Sequence, residues 1–155
     1  MNIFALSGKP REAAKWHVDK HVVKMPLETA QILCIVRRMH GDSTVPYRST
    51  HVYHPCFQWA AESVENYVWL CILGIELCTE YTYRYGKIHK CEAIIEECLM
   101  QVPHKLKNKG RTKFVQAMPS HCKMDNSVLA YRNYYIQEKS HLAHWRNREM
   151  PYWWS

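Results

Sequence analysis

The chain has 155 residues, 47% of them hydrophobic, and a formal charge of +7 at pH 7 with histidine neutral. That length fits one domain and leaves little room for a second, and no apolar run reaches the ~18 residues that a membrane span needs. The positive charge favours an anionic partner, because its field attracts phosphate before any specific contact forms, so nucleic acid or a nucleotide leads and a membrane does not.

Seven cysteines, an odd count without a C-x-x-C pair, suit a reducing compartment rather than a disulfide framework or a cysteine zinc site. The opening "MNIFALSGKPRE" lacks the charged and apolar regions of a secretory signal, so the chain reads as intracellular. Pro10 suits a helix first turn, apolar residues follow at helical spacing through Val18, Val22, Met25, Leu33 and Val36, and Gly41 stops the segment. Pro26 removes a backbone donor and crowds the carbonyl of Val22, which predicts a kink or break within residues 22–26. "GDSTVPYRST" is a loop. Pro55 then opens, and Gly86 closes, one long helix or two, with Trp59, Val64, Trp69, Leu73 and Leu77 as core stripe. A shorter helix covers "KCEAIIEECLM", with Glu92, Glu96 and Glu97 solvated. Residues 102–124 read as a basic loop punctuated by Pro103, Gly110 and Pro119. Asp125 is placed to N-cap a last helix, "NSVLAYRNYYIQEKSHLAHW", and the aromatic tail "RNREMPYWWS" should fold back onto the body. With no convincing strand beyond "MNIFAL", the expected fold is all-α: a single compact domain, 1–155, of about four to six helices, with a kinked first helix and a long basic loop before the last.

Three clusters carry chemistry. At roughly 100° per residue, His17, His21, Lys24 and Glu28 fall within about 60° of one another, flanked by Lys20 and Gln31. This stripe borders the apolar face, as the wall of a cleft would; the plainer alternative is a surface stripe with a Lys24–Glu28 pair contributing a few tenths of a kcal/mol. In "THVYHPC", His51 and His54 enter a helix start, where free amides favour phosphate; more plainly, His54 caps the helix and His51 is solvated. His17, His21, His51 and His54 have spacing that a metal would accept, but the interleaved lysines repel a dication and H-E-x-x-H is absent, so neither metal nor cofactor is assigned. Third, Arg84, Lys87, Lys90, Arg132, Lys139, Arg146 and Arg148 interleave with tyrosines that include Tyr131 and Tyr135. Basic groups neutralise phosphates while aromatic faces stack bases; in the alternative, the tyrosines are core and arginine stems cover them.

The blocks "KWHVDKHVVKMPLETAQ", "THVYHPCFQWAAESVENYVWL", "EYTYRYGKIHK", "FVQAMP" and "AYRNYYIQEKSHLAHWRNREMPYW" occur in this order over nearly the whole chain. In them the chain resembles a family of small proteins carried by tailed phages and large DNA viruses. The resemblance implies a virus-encoded protein in host-cell cytoplasm, where DNA metabolism, base modification and counter-defence are usual tasks.

Together these features predict a DNA- or nucleotide-directed enzyme acting on a base or its glycosidic bond, with the base entering between the first helix and the "THVYHP" helix start. Glu28 is the expected general acid or base, or the group that stabilises positive charge on the sugar, and Lys24 or Lys20 the expected nucleophile at C1′. His21 and His54 would contact phosphate or move protons. His17, Gln31, His51, Arg84, Tyr131, Arg132, Tyr135 and Lys139 complete the expected substrate contacts. Two alternatives use the same residues: a non-catalytic binder of a phosphate-bearing nucleotide signal, and a metal-dependent phosphoesterase on the four histidines. If Lys105, Lys107, Lys109, Arg111 and Lys113 contact phosphates, neutralising them should flatten the salt dependence of DNA binding by about one unit of log–log slope per lost contact. An unchanged slope in a filter-binding titration would return the loop to the solvated surface.

Overall fold

Pro10 opens the first helix of a computed structural model that describes residues 2–48 and 50–155. This helix, α1 (Pro10–Trp16), is short; the backbone turns extended at His17 and Val18 and resumes as α2 (Asp19–Met39). The break thus lies ahead of the 22–26 segment that the proline suggested, and α2 continues through Pro26. Burial of the proline ring compensates the donor it removes. The next carbonyl, Val23, accepts a hydrogen bond from His89 Nε2 at 2.9 Å.

The break occurs at residue 17 because its orphaned carbonyls find partners from far along the chain. Arg84 donates to Lys15 O at 3.0 Å and to His17 O at 2.8 Å, and Trp145 Nε1 donates to Trp16 O at 2.9 Å. The same guanidinium pairs with Asp19 and Glu80, each at 2.9 Å. Asp19 also accepts from the Arg146 amide and is bonded to the His144 ring, while Glu80 accepts twice from Arg148. Burial alone would raise the pKa of both carboxyls, but these hydrogen bonds and the facing guanidinium overcome it and hold both below their usual values. Arg84 is therefore not the surface ligand contact that its basic, tyrosine-rich surroundings suggested. It is 2% exposed and its donors are engaged inside the protein.

Ser63 separates α3 (Pro55–Glu62) from α4 (Val64–Tyr85), ending one helix in extended backbone and capping the next by accepting from Asn66 N. The left-handed Gly86 terminates α4, which packs against α1, α2, α3 and the following α5 (Glu92–Met100). Gly74 permits that convergence: a Cβ there would lie 2.8 Å from Thr29 Cγ2 of α2 and 3.0 Å from the Ile95 side chain of α5. The last helix, α6 (Ser127–Glu138), is capped by Asn126, whose side chain accepts from Leu129 N, rather than by Asp125. It also stops short of Trp145, because His144 and Trp145 are drawn onto the α1–α2 junction and Arg148 onto Glu80 of α4. Short 3-10 turns lie at Ser120–Cys122 and Ser140–Leu142.

The opening segment is not a strand; Ile3, Phe4, Ala5 and Leu6 run irregularly through the core. At the other end Trp153 and Trp154 fold back as expected, whereas Tyr152 stays exposed. The all-α architecture is thus as the sequence predicts, with six α-helices among the described residues. No described helix is long and apolar enough to cross a membrane. Removing the Arg84 charge while keeping apolar bulk, in Arg84→Met, should cost about 3–5 kcal/mol in a urea unfolding curve, since a buried carboxylate loses its partner. A loss below about 1 kcal/mol would show that packing alone holds the junction.

Candidate functional site at the junction of α2 and α3

Residues 20 to 31 share one continuous helix, so the polar stripe expected of Lys20, His21, Lys24, Glu28 and Gln31 is present on α2. Lys20 and Lys24 are exposed, Gln31 is half-buried, and His21 and Glu28 are only 7% and 8% exposed. The stripe therefore runs from solvated lysines to a nearly buried histidine and carboxylate. His17 lies off the helix, before its first residue. It is fully buried, its Nδ1 donates to Ala13 O at 2.7 Å, and its Nε2 has no hydrogen-bond partner.

His21 is held from three sides. Phe4 stacks on its ring with centroids 4.4 Å apart, Tyr135 Oη lies 2.6 Å from Nδ1, and the His17 ring approaches edge-on. Burial lowers its pKa first, and the charges of His17, Lys139 and Lys24 lower it further, to about 3. His17 is lowered by burial to about 4. Both imidazoles are thus neutral at pH 7, and the positive charge around His21 belongs to Lys24 from α2 and Lys139 from the end of α6. Tyr135 is itself buried, which raises its pKa and keeps the phenol protonated. A phenol donating to Nδ1 leaves the His21 ring proton on Nε2.

Glu28 sits two turns along the same face from His21. Its Oε2 is 4.0 Å from Lys24 Nζ. It is also felt by two groups of α3: its charge raises the pKa of His54 and of Cys56. His54 is lowered on balance, by burial first and then by neighbouring positive charge including that of His51. Its Nδ1 accepts from Cys56 N at 3.1 Å, so the ring caps α3 as the plainer reading held. Burial pushes the Cys56 thiol up to about 12, which keeps it protonated beside Asn2 Oδ1. His51 is exposed, with a positive φ of 56°.

Other expected ligand contacts lie elsewhere. Tyr131 is fully buried and donates to Val115 O at 2.6 Å, so it anchors the "FVQAMP" segment instead of meeting a base. Arg132 donates to Leu6 O and lies over Trp16 and Trp153, fastening the tail. Tyr135 is fully buried and meets His21 with both its hydroxyl and its ring, so it supports the histidine rather than stacking on a base. The four histidines are not gathered as a metal centre: the His17 and His21 rings touch, but among the described residues no three of His17, His21, His51 and His54 bring their ligand atoms together. The basic loop is tied down rather than free: Lys107 O, Gly110 N and Thr112 bond to α3 and α4, and Lys109 pairs with Glu62. Phe4 was not singled out by its sequence, since nothing in "MNIFAL" marks it as the partner of a histidine.

No protein-family model matches the chain, and no curated protein or solved structure matches it either.

The buried histidines impose a pH dependence. An imidazole whose folded pKa is depressed binds its proton earlier in the unfolded chain, so its contribution is complete above pH 6.5 and declines as pH falls towards the folded value. Each of His17 and His21 should remove about 1.4 kcal/mol per pH unit across that window. The carboxyls of Asp19 and Glu80 begin to matter only below their unfolded values of 3.8 and 4.5. The unfolding free energy from urea curves should therefore fall by about 4 kcal/mol between pH 7 and pH 5, about 2 from each ring, with a shallower slope in His21→Asn. A flat profile would mean that neither ring is buried neutral.

Proposed function

We propose that the chain is an enzyme directed at nucleic acid, acting on a base or its glycosidic bond at the junction of α2 and α3. One observation carries the reading: a nearly buried carboxylate, Glu28, lies beside Lys24 on α2 and within the electrostatic reach of His54 on α3. A carboxylate withdrawn behind a basic rim suits proton transfer better than phosphate binding, because it would repel an anion placed directly on it. In the proposed mechanism Lys20 and Lys139 attract the backbone phosphates, and neutral His21, oriented by Tyr135, donates a hydrogen bond from Nε2. A base turned out of its stack then meets Glu28.

For glycosidic cleavage, Glu28 takes a proton from the Lys24 ammonium, and the freed amine bonds to C1′ as the C1′–N bond breaks. The departing base is protonated by Glu28 in turn, and a proton of the new amine passes to O4′ as the C1′–O4′ bond opens, leaving a protonated imine on Lys24. The resemblance to proteins of tailed phages and large DNA viruses supports placing this activity in the cytoplasm of an infected cell, with base modification or counter-defence as its purpose. The second reading is a non-catalytic binder of a phosphate-bearing nucleotide, favoured by the grouping of Lys24 and Lys139 around His21.

Mass spectrometry of DNA exposed to the protein separates these readings, using normal, damaged and virus-modified DNA. The enzyme reading expects released bases, abasic sites or altered nucleosides with the natural chain. Glu28→Gln should lower turnover by about 10²- to 10⁴-fold with little change in DNA affinity. If Lys24 is the nucleophile, borohydride should trap a covalent adduct that is lost in Lys24→Gln. Unchanged DNA in every case, with nucleotide binding equal or tighter in Glu28→Gln, would make the protein a binder.

A further inference from the structure

Away from this junction, one group of side chains fits a task that the proposed activity does not use. His121 and Cys122 lie side by side on the 3-10 turn Ser120–Cys122, and Glu138 ends α6 opposite them. One donor atom from each, an imidazole nitrogen, a thiol sulfur and a carboxylate oxygen, lies within 4.8 Å of the other two. His121 Nε2 is already 2.6 Å from Glu138 Oε1. A tetrahedral zinc ion with bonds of about 2.0–2.3 Å places its donors about 3.3–3.8 Å apart, so a modest rotation of the two exposed side chains closes the set.

The turn is preset for this. Asn133 Nδ2 donates to Cys122 O at 3.2 Å, and Gln137 Nε2 fixes Asn133 by donating to its Oδ1 at 2.8 Å. Cys122 Sγ meets only a long contact to Gln137 Oε1 at 4.0 Å. The sulfur is buried in a residue that is 0% exposed, whereas the His121 and Glu138 side chains are 58% and 39% exposed. An acidic surface cluster would attract any dication weakly, but thiolate with imidazole selects a borderline or soft one.

We propose that His121, Cys122 and Glu138 bind one divalent cation of the zinc class, leaving a fourth position for water and stapling the turn to α6. On binding, the Cys122 thiol loses its proton to solvent as the sulfur–metal bond forms, and the metal replaces the His121–Glu138 hydrogen bond. The set combines one ligand from each of three donor types, which was not among the sequence expectations because no spaced C-x-x-C or H-x-x-x-H pattern marks it.

Cobalt(II) titration of the reduced full-length protein tests this, since a cobalt–thiolate bond gives a near-ultraviolet charge-transfer band. One equivalent of cobalt should produce that band, zinc should displace it, and about one proton should be released per metal. Cys122→Ser should abolish the band. His121→Asn and Glu138→Gln, both at exposed positions, should weaken binding by more than the roughly 10–100-fold typical of losing an outer partner. Circular dichroism verifies that each variant folds; should Cys122→Ser fail to fold, the two surface variants decide the matter. Absence of the band, its persistence in folded Cys122→Ser, or unchanged affinity in both surface variants would overturn the site and leave an ordinary His121–Glu138 pair.

Discussion

A single buried guanidinium sets the geometry on which the rest depends. Arg84 leaves α4 and reaches the last carbonyls of α1, the first carboxylate of α2 and, through Glu80 and Asp19, the chain after α6. Burying an arginine is costly unless its charge and donors are satisfied, and here two carboxylates and two carbonyls satisfy them. That requirement fixes where α1 must end and where α2 must begin. It therefore fixes the rotation of α2 about its own axis, which decides that His21 and Glu28 turn inward while Lys20 and Lys24 line the rim.

What the sequence made legible is what local physics controls. The helical period, Pro10 and Pro55 at first turns and Gly86 at a left-handed stop need only neighbours a few residues away, and they located most elements. The stripe on α2 was legible for the same reason, since Lys24 and Glu28 are one turn apart whatever the fold does elsewhere. Pro26 misled because its cost is local while the actual break is set by tertiary partners; Arg84 and Asp19 are 65 positions apart. Arg84 and Tyr131 misled in the opposite sense. Basic and aromatic residues in alternation resemble a nucleic-acid surface, yet the same alternation on helices packed on two sides sends some of those side chains into the core.

The candidate site divides its labour by burial. Desolvation leaves His17 and His21 neutral, so at neutral pH they contribute hydrogen-bond geometry rather than charge. The lysines beside them keep their charge in solvent, at little desolvation cost. Glu28 sits between these regimes, nearly buried yet with its Oε2 4.0 Å from the solvated Lys24 ammonium. A fully exposed stripe would have the charge without the orientation, and a fully buried one the reverse.

The last helix explains why its role was the hardest to read. On one face Tyr131, Tyr135 and Lys139, spaced by one turn, pass from a core anchor to the His21 ring and then to the basic rim. On another, Asn133, Gln137 and Glu138 hold the Ser120–Cys122 turn. A helix with polar duties on two faces shows no clean apolar stripe, because the side chains that would form one carry hydroxyls, amides or charges that their partners satisfy. Its end at Lys139, rather than at Trp145, follows from the same economy of partners: the chain beyond it is required at Asp19 and Glu80, and a continued helix would carry His144 and Arg148 out of reach of both.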